Sequence, residues 1–232
     1  VMFRALLAAI KPVENQDVVV RYAVSLAEQY SLEVEGCCVT DLSRLAPIEP
    51  LPLGASHYKT ERDKHLVRDA REQALENISR LFELCRQRDV FCQSQLCEGN
   101  SLQVLGEVGQ RCDLIVCGVS QHADFGEASL LHSLLKHGGR PTIVVPEGEF
   151  RVSRVLIAFD GSIQAGRALA SFAYSGFAGD CCIDLLTIDN ENSQAERIAE
   201  SARRFLGRHG ITATIRTVGA EHDIAAQILT IA

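Results

Sequence analysis

A doubly wound α/β protein built from two tandem units is what this sequence predicts, and three observations predict it. Short apolar runs alternate with amphipathic helical stretches along the whole chain. That alternation is the pattern of a parallel sheet covered by helices on both faces. The pattern also repeats. Ala5-Leu6-Leu7-Ala8-Ala9 aligns with Val155-Leu156-Ile157-Ala158-Phe159. Without a gap, Val18-Val19-Val20 then falls on Ala168-Leu169-Ala170, and Tyr22-Ala23 on Phe172-Ala173. Val34 to Val39 recurs as Ile183 to Ile188, so two copies of one folding unit are present. Finally, the second copy is shorter. Gly219 answers Gly99 and Ile224 answers Val104, so Ala232 answers Cys112, and strand four through strand five have no counterpart.

In unit one, residues 1–146, strand one spans about 4–10. Helix one spans 15–30, with apolar residues at 19, 20, 23, 24 and 27. Strand two spans 33–40. Residues 46–54, Ala-Pro-Ile-Glu-Pro-Leu-Pro-Leu-Gly, form a loop, because three prolines forbid regular helix or central strand. A long helix over 58–88 places 67, 70, 74, 78, 81, 82 and 85 on one face. Strand three spans 90–97, helix three 101–111 and strand four Leu114–Cys117. Helix four, 127–137, ends at Gly138-Gly139. Strand five is Thr142–Val145, and Glu147-Gly148-Glu149 is a linker. Unit two, residues 151–232, runs strand 153–159, helix 163–175, strand 182–188, helix 193–209, strand 211–217 and helix 222–231.

The formal net charge of −7 and interleaved runs such as Lys59-Thr60-Glu61-Arg62-Asp63-Lys64 give no basic face for nucleic acid. No apolar run reaches membrane-spanning length, and residues 5–10 read as a strand rather than a leader, so a cytoplasmic location is expected. Nine cysteines contain no Cys-x-x-Cys pair, which removes zinc-ribbon and thioredoxin-like readings. Five of them, 37, 38, 92, 97 and 117, lie in strand-like runs and are expected as small core hydrophobes, with a redox role as the alternative. The odd count argues against a closed disulfide framework. His132 and His137 are not at the helical spacing of a metal pair, so no metal is expected.

Ligands of doubly wound sheets bind at the carboxyl ends of the strands. After unit-two strand one comes Asp160-Gly161-Ser162, whose carboxylate could accept from a base amino group or a ribose hydroxyl. The alternative is a plain helix cap. Unit one has Ile10-Lys11-Pro12 at that place, with no carboxylate. After strand four, residues 118–129 read Gly-Val-Ser-Gln-His-Ala-Asp-Phe-Gly-Glu-Ala-Ser, too acidic and glycine-poor for a good phosphate cradle.

Arg154 to Ser162, Ile183 to Asp189, Asp113 to Gly118 and Leu134 to Pro146, in this order and spacing, resemble a tandem universal stress protein. The resemblance implies a Rossmann-like, adenine nucleotide alpha hydrolase-like fold in both units. It implies that ATP, where bound, meets an Asp after strand one, the end of strand two and a G-x2-G-x9-G-[ST] loop after strand four. Carried over by position, unit two supplies Ala158, Phe159, Asp160 and Ile188, and its glycine loop would lie beyond Ala232. In unit one Ile10 replaces the Asp, Gln121 the second Gly and Ala128 the third. Unit one is therefore expected to be degenerate and unit two alone to hold adenine nucleotide.

The expected function is a stress-response signalling or protective module, not an enzyme. Alternatives are a ligand-free interaction module docking through 46–54 and the long helix, or a slow ATPase or adenylyl transferase. The paired-histidine motif of the last class is missing near either first strand. Strand one of unit two is expected to stand as an open parallel edge, completed by further chain or a second chain. The resemblance adds pairing through strand five, within the chain or in a homodimer.

Overall fold

A parallel strand is stabilised by neighbours on both edges and helices on both faces, and the two units differ in how fully they supply these. The computed structural model describes residues 3–12, 16–41, 56–118, 134–135, 139–146, 152–179 and 181–232. The chain divides into two compact units, residues 3–149 and 150–232.

Unit one runs β1 (Ala5–Ile10), α1 (Asp17–Tyr30), β2 (Glu33–Thr40), α2 (Ser56–Gln87), β3 (Cys92–Glu98), α3 (Ser101–Gly109), β4 (Leu114–Gly118) and β5 (Thr142–Val145). Every strand pair is parallel and the order is β3-β2-β1-β4-β5. The winding reverses between β1 and β4, where Leu6 faces Leu114 and Ala9 faces Cys117. The Asp113 carboxylate fastens this centre, accepting from the N–H groups of Arg4 at 2.8 Å and Ala5 at 3.2 Å. Leu6, Leu7 and Ala8 are fully buried. Helix α1 packs its expected residues and ends at Ser31 in the left-handed region, whose N–H donates to the Ala27 carbonyl. Asn100 caps α3 through the Gln103 N–H.

The buried stripe of α2 is Ala70, Ala74, Asn77, Leu81 and Cys85. Phe82, expected on it, is 51% exposed, because one further residue of helical rotation carries it past the sheet. Asn77 takes a place in the stripe by donating from Nδ2 to the Lys11 carbonyl at 3.0 Å. The cysteines of β3 also differ from expectation. Cys92 and Cys97 are partly exposed, since β3 is an edge strand, whereas Cys37, Cys38 and Cys117 are buried. The loop 46–54 and linker 147–149 lie outside the described residues. So does most of the helix expected at 127–137, of which Leu134 and Leu135 are helical.

Unit two runs β6 (Arg154–Ala158), α4 (Ile163–Ser175), β7 (Cys182–Ile188), α5 (Asn192–Arg208), β8 (Thr214–Val218) and α6 (Ile224–Ile231). Its sheet is parallel in the order β6-β7-β8. Ile183, Leu185, Leu169, Ala199, Ala202 and Leu206 form its core. Strand β8 starts three residues later than the apolar pattern suggests. Gly210 turns the chain at φ +74°, and Ile211 and Ala213 fill the core before the ladder begins. Strand β6 pairs with β7 alone among the described residues.

Candidate functional site

The carboxyl ends of β6 and β7 bring the four expected residues together. Ala158 pairs with Leu186 in the ladder, and the Phe159 N–H extends it by donating to the Leu186 carbonyl at 2.9 Å. Asp160 follows two residues after the last paired residue of β6, and Ile188 is the last residue of β7. Ala158 and Asp160 are exposed, and Phe159 and Ile188 half-buried.

The Asp160 turn is built by its own sequence. Gly161 adopts φ +78°, a left-handed conformation that favours glycine. Asp160 Oδ1 accepts from the Ser162 N–H at 2.8 Å, and Ser162 Oγ accepts from the Ala165 N–H at 3.1 Å, capping α4. The bond from the Ser162 backbone holds the Asp160 carboxyl below the usual carboxylate range. Capping and ligand binding are therefore not exclusive: Ser162 caps α4 and one Asp160 oxygen braces the turn.

Three residues at neighbouring ends escaped the sequence reading. Asp189 Oδ1 accepts from the Glu191 N–H at 2.8 Å, and Asn190 Oδ1 accepts from the Ala220 N–H at 3.2 Å. These bonds tie the end of β7 to the start of α5 and to the turn after β8. Thr187 Oγ1 is buried without a hydrogen-bond partner, and strand alternation sets it on the core side with Ile183 and Leu185. A separate cleft of about 420 Å³ lies between the end of β8 and α6, lined by Val218, Gly219, Glu221, Ala226, Gln227 and Thr230. Neither Asp160 nor Ile188 lines it. We centre the site on Asp160, the carboxylate that follows the first strand of the unit; in the cleft Gln227 donates to the Gly219 carbonyl and accepts from the Glu221 N–H.

At the corresponding end of unit one the described groups bond to one another. Ile10 is 4% exposed. The Lys11 N–H donates to Gln16 Oε1 at 3.3 Å, while its carbonyl accepts from Asn77. The buried Asp41 carboxylate accepts from the Ser101 N–H at the start of α3 at 3.4 Å. Asp41 and Asn190 thus do the same job in the two units, a parallel that the sequence hides behind a change of residue type. Gly118 has a packing reason: a Cβ there would lie 2.6 Å from Val19 Cγ2. Ser129, Gln121 and Ala128 lie outside the described residues. Among the described residues no three His, Cys, Asp or Glu side chains converge as a metal site. No described helix is long and apolar enough to cross a membrane.

No family model matches this sequence. No curated protein matches it either. Solved structures do resemble it. A universal stress protein from Archaeoglobus fulgidus is 18% identical, with a TM-score of 0.68, over 98% of this chain and 81% of that one. A functionally unknown protein from Pseudomonas aeruginosa is 14% identical, with a TM-score of 0.56, over 97% of this chain and 76% of that one. At these identities the likeness establishes the fold: this chain has the α/β fold of a solved universal stress protein.

Proposed function

We propose that the chain is a universal-stress-type, non-enzymatic signalling module that holds adenine nucleotide on unit two, with base and ribose against Phe159, Asp160 and Ile188. One observation carries the reading. Asp160 is an ionised, exposed carboxylate at the carboxyl end of β6, whereas unit one has the buried Ile10 there. The residues present fit the base and ribose half of the ligand. Oδ1 braces the turn and the second oxygen remains to accept from a hydroxyl or amino group. The exposed backbone at Ala158 and the half-buried Ile188 supply a polar edge and an apolar wall. Pairing through β5 belongs to the same reading and is supported by its place at the edge of the unit-one sheet.

Calorimetric titration of the full chain with ATP tests this. Asp160→Ala should weaken binding by about 1–3 kcal/mol, the scale of a lost charged hydrogen bond. Ile10→Ala should leave it unchanged. Equal affinity in the Asp160→Ala variant would overturn the assignment to unit two.

A second reading, a ligand-free interaction module, is favoured by α6. None of its residues is buried, and Ile224 and Leu229 are 48% and 78% exposed. An absence of heat with ATP, AMP and cAMP alike would select it.

A further inference from the structure

Strand β3 ends one side of the unit-one sheet, and its outer edge carries a full row of unused backbone groups. Its ladder to β2 is unbroken from Val34–Cys92 to Thr40–Glu98. In a parallel pair, alternate residues point their N–H and C=O at the partner strand. The Phe91 carbonyl accepts from the Val34 N–H at 2.9 Å, and the Gly99 N–H donates to the Thr40 carbonyl at 3.2 Å, so the odd-numbered residues face β2. The N–H and C=O groups of Cys92, Ser94, Leu96 and Glu98 therefore face outward, and among the described residues no strand pairs with them. Sheet edges are normally guarded by a charge, a proline or a bulge. Strand β8, the matching edge of unit two, carries Arg216 at its middle. Strand β3 reads Cys-Gln-Ser-Gln-Leu-Cys-Glu, with no proline and no bulge. Its one charge is the last residue, Glu98, which Arg71 neutralises at 2.6 Å.

The helix beside this edge is apolar on the same side. Arg71 of α2 reaches β3, whereas Arg80, on the opposite side of the helix, reaches Asp17 of α1. Leu75, Ile78 and Phe82 follow Arg71 at steps of four, three and four, so they share the flank of α2 turned to the β3 edge. Leu75 and Phe82 are exposed. So is Leu96, which strand alternation sets on the α2 side of the sheet with Ser94.

We propose that the β3 edge docks a second copy of this chain, joined as an antiparallel, two-fold β3–β3 pair. A pair centred on Gln95 sets Ser94 opposite Leu96 and Cys92 opposite Glu98. Outward residues then meet only outward residues, and each unused N–H finds an unused carbonyl. The two Glu98 carboxylates lie at opposite ends of the junction. Helix α2 packs on β2 and β3 alike. Strands about 4.8 Å apart therefore bring the two α2 helices to about 10 Å, the spacing of packed helices. The helices run antiparallel. Ile78 faces its own copy, and Phe82 of one helix lies beside Leu75 of the other. Glu72 and Arg86 flank the stripe at its two ends, so the antiparallel copies bring unlike charges level. Edge, stripe and flanking charges each match their own two-fold image, which selects a second copy over an unrelated strand. This surface lies on the side of the sheet opposite β5 and is independent of nucleotide.

Sedimentation velocity of the full chain over a concentration series, with amide hydrogen exchange read by NMR, tests this. The mass should rise from one chain to two. Exchange at the Cys92, Ser94, Leu96 and Glu98 amides should slow at least about tenfold as the dimer forms. The Gln93, Gln95 and Cys97 amides, already bonded to β2, should stay slow throughout. Phe82→Lys changes an exposed position, and Ser94→Pro removes an outward donor without removing a bond to β2. Each variant should remain a monomer with native circular dichroism and return the even-numbered amides to fast exchange. A chain that stays monomeric into the millimolar range would overturn the proposal. So would a dimer whose even-numbered β3 amides exchange rapidly, which would put the contact at another edge such as β5, or a dimer that survives both substitutions.

Discussion

Strands β1 and β6 hold the same place in their units, read nearly the same in sequence, and are buried very differently. Five of the six β1 residues are buried, and none of the five in β6 is. The difference lies in their neighbours: β1 sits between β2 and β4, and β6 pairs with β7 alone among the described residues. The helices after the third strands repeat the contrast. Helix α3 buries Ser101, Leu105, Val108 and Gly109, and α6 buries nothing. Apolar pattern thus marks a residue as suited to a core, while the elements around it decide whether the core forms. The helix-covered faces teach a second lesson, because both units are filled there by opposite means. Unit one sets the strand residue Gly36 under the large Leu81 of α2. Unit two sets the large Leu185 of β7 in a core with the small Ala199 and Ala202 of α5.

The burial contrast is broken or kept by one pair of variants, and they carry the largest expected effect. Leu7 is fully buried, so Leu7→Ala should cost about 2–5 kcal/mol through lost transfer energy and the cavity left behind. Leu156 is only partly buried, and Leu156→Ala should cost about 1 kcal/mol or less. Urea unfolding, with hydrogen exchange to assign each loss to its unit, measures both. Equal costs would mean that β6 is covered in solution, and the contrast would fail.

The exchange of sizes is sharpened by Gly36→Ala. Its new Cβ would collide with Leu81 Cδ2 and sit 3.1 Å from Ser94 Cβ. Leu81 is fully buried and has little room to yield, so the variant should lose about 1–3 kcal/mol. Leu81→Ala alone leaves a cavity. The double variant, with small residues on both sides as in neither unit, should cost less than the two single changes together, since one relieves the strain of the other. Strict additivity in urea midpoints would show that the two residues do not share one packing site.

Most of the fold was legible because strands and helices here obey simple periods. Strand five at Thr142–Val145 and the strand at 182–188 appear where the apolar runs put them. The reading slips where burial and hydrogen bonding part company. Ile211 and Ala213 are core residues ahead of the β8 ladder, and Phe82 is an apolar residue beside the stripe rather than on it. Cys92 and Cys97 look like core from their run, but edge position is a property of sheet order, which alternation does not encode. At the candidate site Asp160 was legible as a carboxylate in a turn. Asp41, Asn77 and Asn190 were not, because each earns its place through a partner 30 to 66 positions away.

The smallest expected effect concerns the one charge that separates the two strand ends. Asp160 has a lowered pKa because it accepts the Ser162 N–H, and Ile10 contributes no such group to unit one. A carboxylate whose folded pKa lies below its unfolded value stabilises the fold fully above the unfolded pKa. That contribution is lost as pH falls through the folded value. Unit two should therefore lose the brace at the start of α4 as pH falls from about 4 downward, the ordinary aspartate range. Solvent screens this exposed group, so the loss should stay below about 1 kcal/mol. Hydrogen exchange at the Ser162 and Ala165 amides, followed across this window in the full chain and in Asp160→Asn, isolates it. Opening of the α4 start should rise as the wild-type chain is acidified and should be nearly independent of pH in the variant. Identical acid profiles for the two proteins would show that Asp160 does not brace the turn, and that its carboxylate is left with the ligand as its only use.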